Sequence, residues 1–418
     1  MRASLVGSLC LGLLAHAVTP AAAEEFTIPP PPEAAPPSKP RNCQNTVPFQ
    51  TWIAQFKKEA AAEGIKTRTI ESMIGNMTPD PGVISRDRKQ GFFNQTFIEF
   101  YGKLATKSRE KMGQSYLQKY AGIFDRAEQD FGVPGPVITG FWALESDFGI
   151  GMGNLPVMRS LLTLAWDCRR GELFREELKA AMKIIERGDL RADELIGSWA
   201  GELGQTQFLP KHYYNYAIDY DRDGRRDLIR DIPDIIGSTA RFIASMGWRR
   251  GEPWLEEVRL TQELPWDQAD LAIELPRSQW VEWGVTGVSG KLPADGLNAS
   301  LLLPMGRNGP AFLAYPNFRV YTQWNQSLTY ATTAAHLAAR MAGAPQITRG
   351  NGQPTNGLSY EQTKELQIML TKRGFDVGEA DGKIGAGTRK AVKEMQKKYG
   401  LPADSYPTPD LLAAMRRG

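Results

Sequence analysis

The sequence predicts a mainly α protein in two parts. A large helical domain over residues 48–343 carries an irregular insertion with some strand, and a small helical module follows over 358–418. Three observations predict this. Apolar residues recur at helical spacing in several separate stretches. Prolines, among them Pro253, Pro265, Pro276, Pro293 and Pro304, interrupt residues 251–316, where short β-prone runs appear. A low-complexity stretch, Thr348 to Gly357, divides the two parts and reads as a linker over 344–357.

The chain begins with Arg2, an apolar segment from Leu5 to Val18, and Ala21-Ala22-Ala23 ahead of Glu24-Glu25. That is the pattern of a secretory signal peptide over residues 1–23, which predicts a periplasmic protein. Cys10 follows Gly7-Ser8-Leu9, and a bulky Leu directly before the Cys fits a lipidation site badly, so no lipid anchor is expected. Residues 24–47 are dense in Pro and Ala around PPPPEAAPPSKP and read as an extended, semi-stiff spacer. Loss of the signal leaves Cys43 and Cys168. In an oxidising compartment they are a candidate disulfide; the alternative is a buried free thiol and another in a loose tail.

Composition removes several classes of function. Among 418 residues, 50 Lys and Arg stand against 47 Asp and Glu, a formal charge of +3, which argues against a nucleic-acid protein with a strongly basic face. No apolar run beyond the signal is long enough to span a bilayer. Three histidines, His16, His212 and His336, are too few to favour a zinc site or a Ser-His-Asp enzyme.

Helices are expected where Phe49, Trp52, Ile53 and Phe56 repeat, across Arg169–Arg187, across Ile235–Met246, and across Tyr330–Met341, whose Ala content suits close packing. Gly132-Val-Pro-Gly-Pro136 is a turn that opens another helix, VITGFWALESDFG, apolar on nearly every side until Asp147. A helix of that kind is buried or lines a cleft. Glu145 lies in it, with Phe141 and Trp142 one turn before and Phe148 after. Desolvation there raises the pKa of a carboxyl group, as a proton donor to a glycosidic oxygen requires. A solvent-facing or Arg-paired Glu is the plainer alternative. Asp147, two positions on, cannot share its helix face, and Glu202 and the acids of 219–234 have no decisive placement. One well-placed carboxyl without a second departs from the usual two-carboxylate glycosidase and fits a substrate that supplies its own nucleophile.

Three motifs make the chain recognisable: Phe141-Trp-Ala-Leu-Glu-Ser-Asp-Phe-Gly149, Ser198-Trp-Ala-Gly-Glu-Leu-Gly-Gln-Thr-Gln-Phe-Leu-Pro210, and Asn317-Phe-Arg-Val-Tyr-Thr-Gln-Trp-Asn-Gln-Ser327. In order and spacing the chain resembles the membrane-bound lytic transglycosylase B family over roughly residues 48 to 343. The resemblance implies a lysozyme-like α+β catalytic domain. It implies non-hydrolytic cleavage of the MurNAc–GlcNAc bond in peptidoglycan glycan strands, leaving a 1,6-anhydro ring. By it, Glu145 is the sole catalytic acid and then the base, and no cofactor takes part in catalysis. Ser198, Gln207, Asn325 and Tyr330 match residues that hold the sugar; ordinary loop polarity or capping, such as Ser198 capping a helix at Trp199, is the alternative. Cell-wall synthesis proteins are conceivable further partners.

Asp219-Tyr-Asp-Arg-Asp-Gly-Arg-Arg-Asp227 places oxygens at alternate positions and Gly at the sixth, like the start of an EF-hand loop, but Arg230 stands at the twelfth. The family resemblance implies a structural Ca2+ held by Asp219, Asp221, Asp223, the position of Arg225, and Asp234, with Asp227 or Asp231 as substitutes for the last. In the final module, Leu366-Gln367, Leu370, Gly374-Phe375, Asp381-Gly382, Thr388, Ala391-Val392, Gln396 and Gly400-Leu401 resemble a three-helix peptidoglycan-binding module. Thr408-Pro409 is its last helix start, and Met395 stands where such modules usually have Phe. Eleven Lys and Arg against eight Asp and Glu from Gly357 onward give it a slight basic surplus. On a flexible linker it would raise the substrate concentration at the cleft. Two other functions remain open to the sequence: a hydrolytic muramidase and a non-catalytic wall-binding protein.

Overall fold

The computed structural model describes residues 26–36, 38–40, 42–89, 95–352 and 356–418; the signal segment and Cys10 lie outside them. The first helices are α1 (Phe49–Ala62), α2 (Thr67–Ile74), α3 (Pro81–Lys89), α4 (Phe97–Leu104), α5 (Lys107–Lys119) and α6 (Ala121–Phe131). In α1, Trp52, Ile53, Phe56 and Ala60 form the buried stripe that the spacing predicts.

At the centre is α7 (Gly135–Ser146), opened by Pro136 and buried along nearly its whole length. It is clasped by α5 and by the Ala-rich α14 (Leu328–Met341), where Gly140 lets the backbone approach Ala334 and Ala338. Phe141 and Trp142 are fully covered, and burying side chains of this size contributes about 2–3 kcal/mol each. The helix stops at Ser146, three residues short of the Gly149 at which the expected segment ends. Asp147, Phe148 and Gly149 all take left-handed φ values (52°, 60° and 91°). Ser146 Oγ accepts the Gly149 N–H at 2.8 Å and closes the turn. Phe148 therefore folds back edge-on against Trp142 and Tyr116 instead of extending the helix.

A two-stranded ribbon, β1 (Leu155–Pro156) with β2 (Ile196–Gly197), flanks the paired helices α8 (Val157–Trp166) and α9 (Gly171–Arg187). Next come α10 (Pro210–Tyr216) and α11 (Ile232–Ser245). The proline-broken insertion is an antiparallel sheet of β3 (Leu255–Leu260), β4 (Leu275–Pro276), β5 (Val285–Gly287), β6 (Asn298–Leu302) and β7 (Ala311–Ala314), in the order β4-β6-β7-β3-β5. With α12 (Arg277–Glu282) it builds its own small core around Trp280, Val285 and Leu313. The chain returns to the helical domain through α13 (Phe318–Trp324) and α14.

Two segments differ from expectation. The Pro-rich stretch is extended, as its composition requires, but it is a strap laid on the domain and not a free spacer. Phe26 packs on Tyr220 and Phe131, Pro30 C=O accepts the Tyr216 hydroxyl at 2.8 Å, and Lys39 N–H donates to Arg169 C=O. Cys43 and Cys168 are joined in a disulfide, fixing the strap at its far end.

The linker is likewise pinned. Thr348 donates through N–H and Oγ to Glu257, and Asn351 bonds Leu260, Asn308 and Gly309. The module it leads to consists of α15 (Tyr360–Lys372), α16 (Ala386–Lys398) and α17 (Pro409–Arg417), with Thr408 capping the last and Met395 in the core. It docks on the insertion: Lys393 pairs with Asp270 at 2.8 Å, Arg389 donates to Leu303 C=O, and Asp404 accepts the Arg307 N–H. A flexible tether is thus replaced by a fixed placement, because small polar residues in the linker make backbone bonds that composition alone does not reveal. No helix among the described residues is long and apolar enough to cross a membrane.

Candidate functional site

Glu145 lies on the last turn of α7, half-buried, with one oxygen held from two directions. Trp324 Nε1, at the end of α13, donates to Oε1 at 2.6 Å, and the Tyr330 hydroxyl, in the first turn of α14, donates to the same atom. The placement of these donors follows from aromatic packing. Phe141, one turn before Glu145, stacks between Trp324 and Tyr321 with ring centroids 4.2 and 4.7 Å away. Burial pushes the Glu145 carboxyl up to about 7; the two hydrogen bonds oppose that rise and the charge of Glu202 adds to it. A carboxyl poised there can give up and recover a proton near neutrality.

Facing α7 is the loop from Ser198 to Phe208. It is closed on itself by Ser198 N–H to Glu202 C=O at 3.0 Å and by reciprocal backbone bonds between Leu203 and Phe208. Trp142 Nε1 donates to Gln205 Oε1 at 2.8 Å and Ser146 Oγ donates to Gln205 C=O at 2.5 Å. The loop is therefore stitched to α7 on both sides of Glu145. Gly149 must be glycine here: a Cβ would lie 2.8 Å from the Gln205 side chain, at φ +91°.

The structure brings Glu145 and Tyr330 into direct contact. Ser198 and Gln207 lie on the facing loop. No helix begins at Trp199, so Ser198 is not a helix cap; its Oγ accepts from Ala200 and Glu202 N–H within the turn and donates to Glu202 Oε2. Gln207, at φ 50°, bonds Gly204 C=O through its side-chain amide. Asn325 follows Trp324 directly, and its Oδ1 accepts the Ser327 N–H at 2.9 Å, so its contact in this structure is to its own loop. Asp147 turns away to Arg109, as its position off the Glu145 face requires. Sequence reasoning missed Trp324, although it lies inside a quoted motif beside Asn325. It left Glu202 unplaced.

The Transglycosylase SLT domain family matches residues 48–339, and a peptidoglycan binding domain matches residues 359–415. This chain belongs to the Transglycosylase SLT domain family. The transglycosylase is 29% identical over 296 residues to membrane-bound lytic murein transglycosylase B of Escherichia coli, covering 69% of this chain and 78% of that one. It is similar to SltB3 of Pseudomonas aeruginosa, solved with NAG-anhNAM-pentapeptide, at 40% identity and TM-score 0.81, covering 88% of this chain and 99% of that one. It is also similar to Slt35 of Escherichia coli, solved with calcium, at 26% identity and TM-score 0.60, covering 69% and 92%. These findings agree with the lysozyme-like, mainly α fold and with the motifs from which the family was read.

In the transglycosylase the acidic loop between α10 and α11 gathers Asp219, Asp221 and Asp234, with ligand atoms within 4.8 Å of one another; Asp221, Asp223 and Asp231 form a second such group. Asp234 Oδ1 accepts the Tyr220 N–H and Oδ2 the Asp227 N–H, so the carboxylate ties both ends of the loop. Burial pushes it up to about 7, helped by Asp231 and Asp219. Among the described residues no Lys or Arg pairs with Asp219, Asp221 or Asp234, and three clustered carboxylates without a cationic partner fit a hard divalent cation. Asp227 fits poorly, because Arg230 and the turn N–H groups already engage it. The Arg225 side chain bonds Asp189 C=O and Glu194, which leaves its main-chain carbonyl as the ligand it could offer.

Proposed function

We propose that this lytic murein transglycosylase cuts glycan strands between MurNAc and GlcNAc with Glu145 as its one proton-transfer group. The observation that carries the assignment is a half-buried carboxyl, raised to about 7, gripped at one oxygen by Tyr330 and Trp324. Protonated Glu145 gives its proton to the bridging oxygen as the C1–O4 bond breaks. The 2-acetamido oxygen of MurNAc stabilises the positive C1. The C6 hydroxyl then bonds to C1, its proton returns to Glu145, and the 1,6-anhydro ring closes with no water consumed. Ser198, Gln207 and Asn325 would line the approach and hold the sugar's polar groups.

Several finer points belong to the same reading. Asp219, Asp221 and Asp234, with Asp223 and the Arg225 carbonyl nearby, would hold a structural Ca2+, supported by the clustered oxygens and by the calcium found in Slt35. The ion's role would be to lock the α10–α11 loop, whose Leu228 carbonyl receives the Gln205 N–H beneath the cleft. Residues 1–23 would direct export to the periplasm, and the disulfide between Cys43 and Cys168 suits that oxidising compartment. Residues 358–418 would bind the same polymer as the cleft. The test is solubilisation of purified sacculi: wild type should release fragments, and Glu145→Gln should still sediment with sacculi but release none. Release by Glu145→Gln at the wild-type rate would refute the assignment.

A further inference from the structure

The sequence shows one good acid and an unplaced Glu202. In the fold Glu202 belongs to the loop that is stitched to α7 through Trp142 and Ser146, the neighbours of Glu145. Its Oε2 accepts the Ser198 hydroxyl at 2.8 Å. That bond has a consequence for Ser198. A hydroxyl has one proton and two acceptor positions. The proton goes to Glu202, and the Ala200 and Glu202 N–H groups, at 3.1 and 3.2 Å, occupy the acceptor side. Ser198 is saturated, and it can offer its proton to a sugar only when Glu202 lets go. Whatever Ser198 does to a substrate is governed by this carboxyl.

Glu202 also has no cation bound to it. Among the described residues none forms a salt bridge with it; Arg170, at the start of α9, acts on it only at longer range, and its guanidinium is held by Asp87. Burial raises both Glu145 and Tyr330, and the charge of Glu202 adds to the rise in each. The charged and titratable groups facing the couple are Tyr330 from α14, Glu145 from α7, Glu202 from the loop and Arg170 from α9. Two carboxyl groups in one desolvated groove do not both ionise readily.

We propose that Glu202 is a positioning residue, which locks the Ser198 hydroxyl in the loop tied to α7 and whose negative charge adds to burial in holding Glu145 in its proton-donating form. The proposal rests on Glu145 being the proton donor. It gives the second carboxylate of the site a role other than attacking the sugar.

The experiment is the pH dependence of kcat/KM on soluble glycan strands for wild type, Glu202→Gln and Glu202→Ala. The amide of Glu202→Gln still accepts from Ser198 but carries no charge. It should keep KM near wild type while the alkaline limb moves down by about half a pH unit or more. Glu202→Ala should show the same displaced limb and, with Ser198 released, a KM several-fold higher. Glu202→Asp should bring the limb back. A Glu202→Gln profile that superimposes on wild type overturns the proposal, as does a loss of rate with the limb unmoved, which marks a purely structural role. Should Glu202→Gln not fold, carboxyl NMR on wild type reads the order of ionisation: Glu202 must lose its proton at lower pH than Glu145, and the reverse order overturns the proposal. If Glu145 is not the acid, Glu145→Gln stays active, a result distinct from any of these.

Discussion

Tyr330 and Trp324 reach the same oxygen of Glu145. The phenol and the indole N–H both donate to Oε1, and no described residue donates to Oε2, so the proposed proton transfer would run through Oε2. Donors of this kind favour the ionised acid, whereas burial favours the neutral one, and burial wins.

Removing one donor shifts that balance. Tyr330→Phe should raise Glu145 further and leave the conjugate base with Trp324 as its one remaining donor after proton transfer. Turnover should fall about tenfold to a hundredfold, within the range for a group acting on a general acid. KM should change far less. Steady-state kinetics on glycan strands check this, and a kcat within about twofold of wild type would speak against the contact.

The pH dependence has a definite sign. Glu145 is raised from 4.5 to about 7 on folding, so the folded chain holds the proton more tightly than the unfolded chain. The stability this contributes is complete below about pH 4.5 and is lost as pH rises through 7. Glu145→Gln cannot ionise and escapes that loss. At pH 8 it should be the more stable protein, by on the order of 2 kcal/mol, and at pH 4 the two should converge. Urea unfolding at both pH values tests it; equal differences at pH 4 and pH 8 would exclude a raised Glu145.

Calcium should act through the acidic loop. Added Ca2+ at a hundredfold excess over its dissociation constant should stabilise by about 2.7 kcal/mol, and chelation should reverse the gain. Asp234→Asn should abolish the response, because Asp234 joins the ligand group to both ends of the loop. Thermal unfolding with Ca2+ and with chelator reads this directly. A wild-type melting temperature indifferent to both would remove the ion from the account.

The disulfide closes a loop of 125 residues. Replacing Cys43 and Cys168 by Ala should cost about 2–5 kcal/mol, while activity at room temperature persists, since neither sulfur touches Glu145. Unfolding with and without reductant, set beside the double variant, measures it.

What was legible in the sequence was periodic. The stripe of α1, the buried α7 and the capping Thr408 follow from local pattern, and each appears in the fold. The proposed acid, Glu145, was legible because a Glu amid Phe141 and Trp142 breaks an apolar run. Of its two partners, Tyr330 was named only through the family resemblance, as a sugar-holding residue, and Trp324 not at all. Trp324 and Tyr330 lie 179 and 185 residues away in sequence, and only the stacking of Phe141 on Trp324 brings them in. The strap and the pinned linker were misread for another reason: Pro, Gly, Asn and Thr report the absence of helix but not whether their carbonyls and amides find partners. Glu202 fell between these cases. Its motif was quoted, yet its role depends on a closed loop that no periodicity encodes.

The most direct test is the product made in water enriched in oxygen-18. Intact-mass analysis of muropeptides should show anhydro-MurNAc ends, one water lighter than reducing ends, with no heavy oxygen at C1. Reducing MurNAc ends carrying the label would show that water, not the C6 hydroxyl, attacks, and would contradict the mechanism built on Glu145.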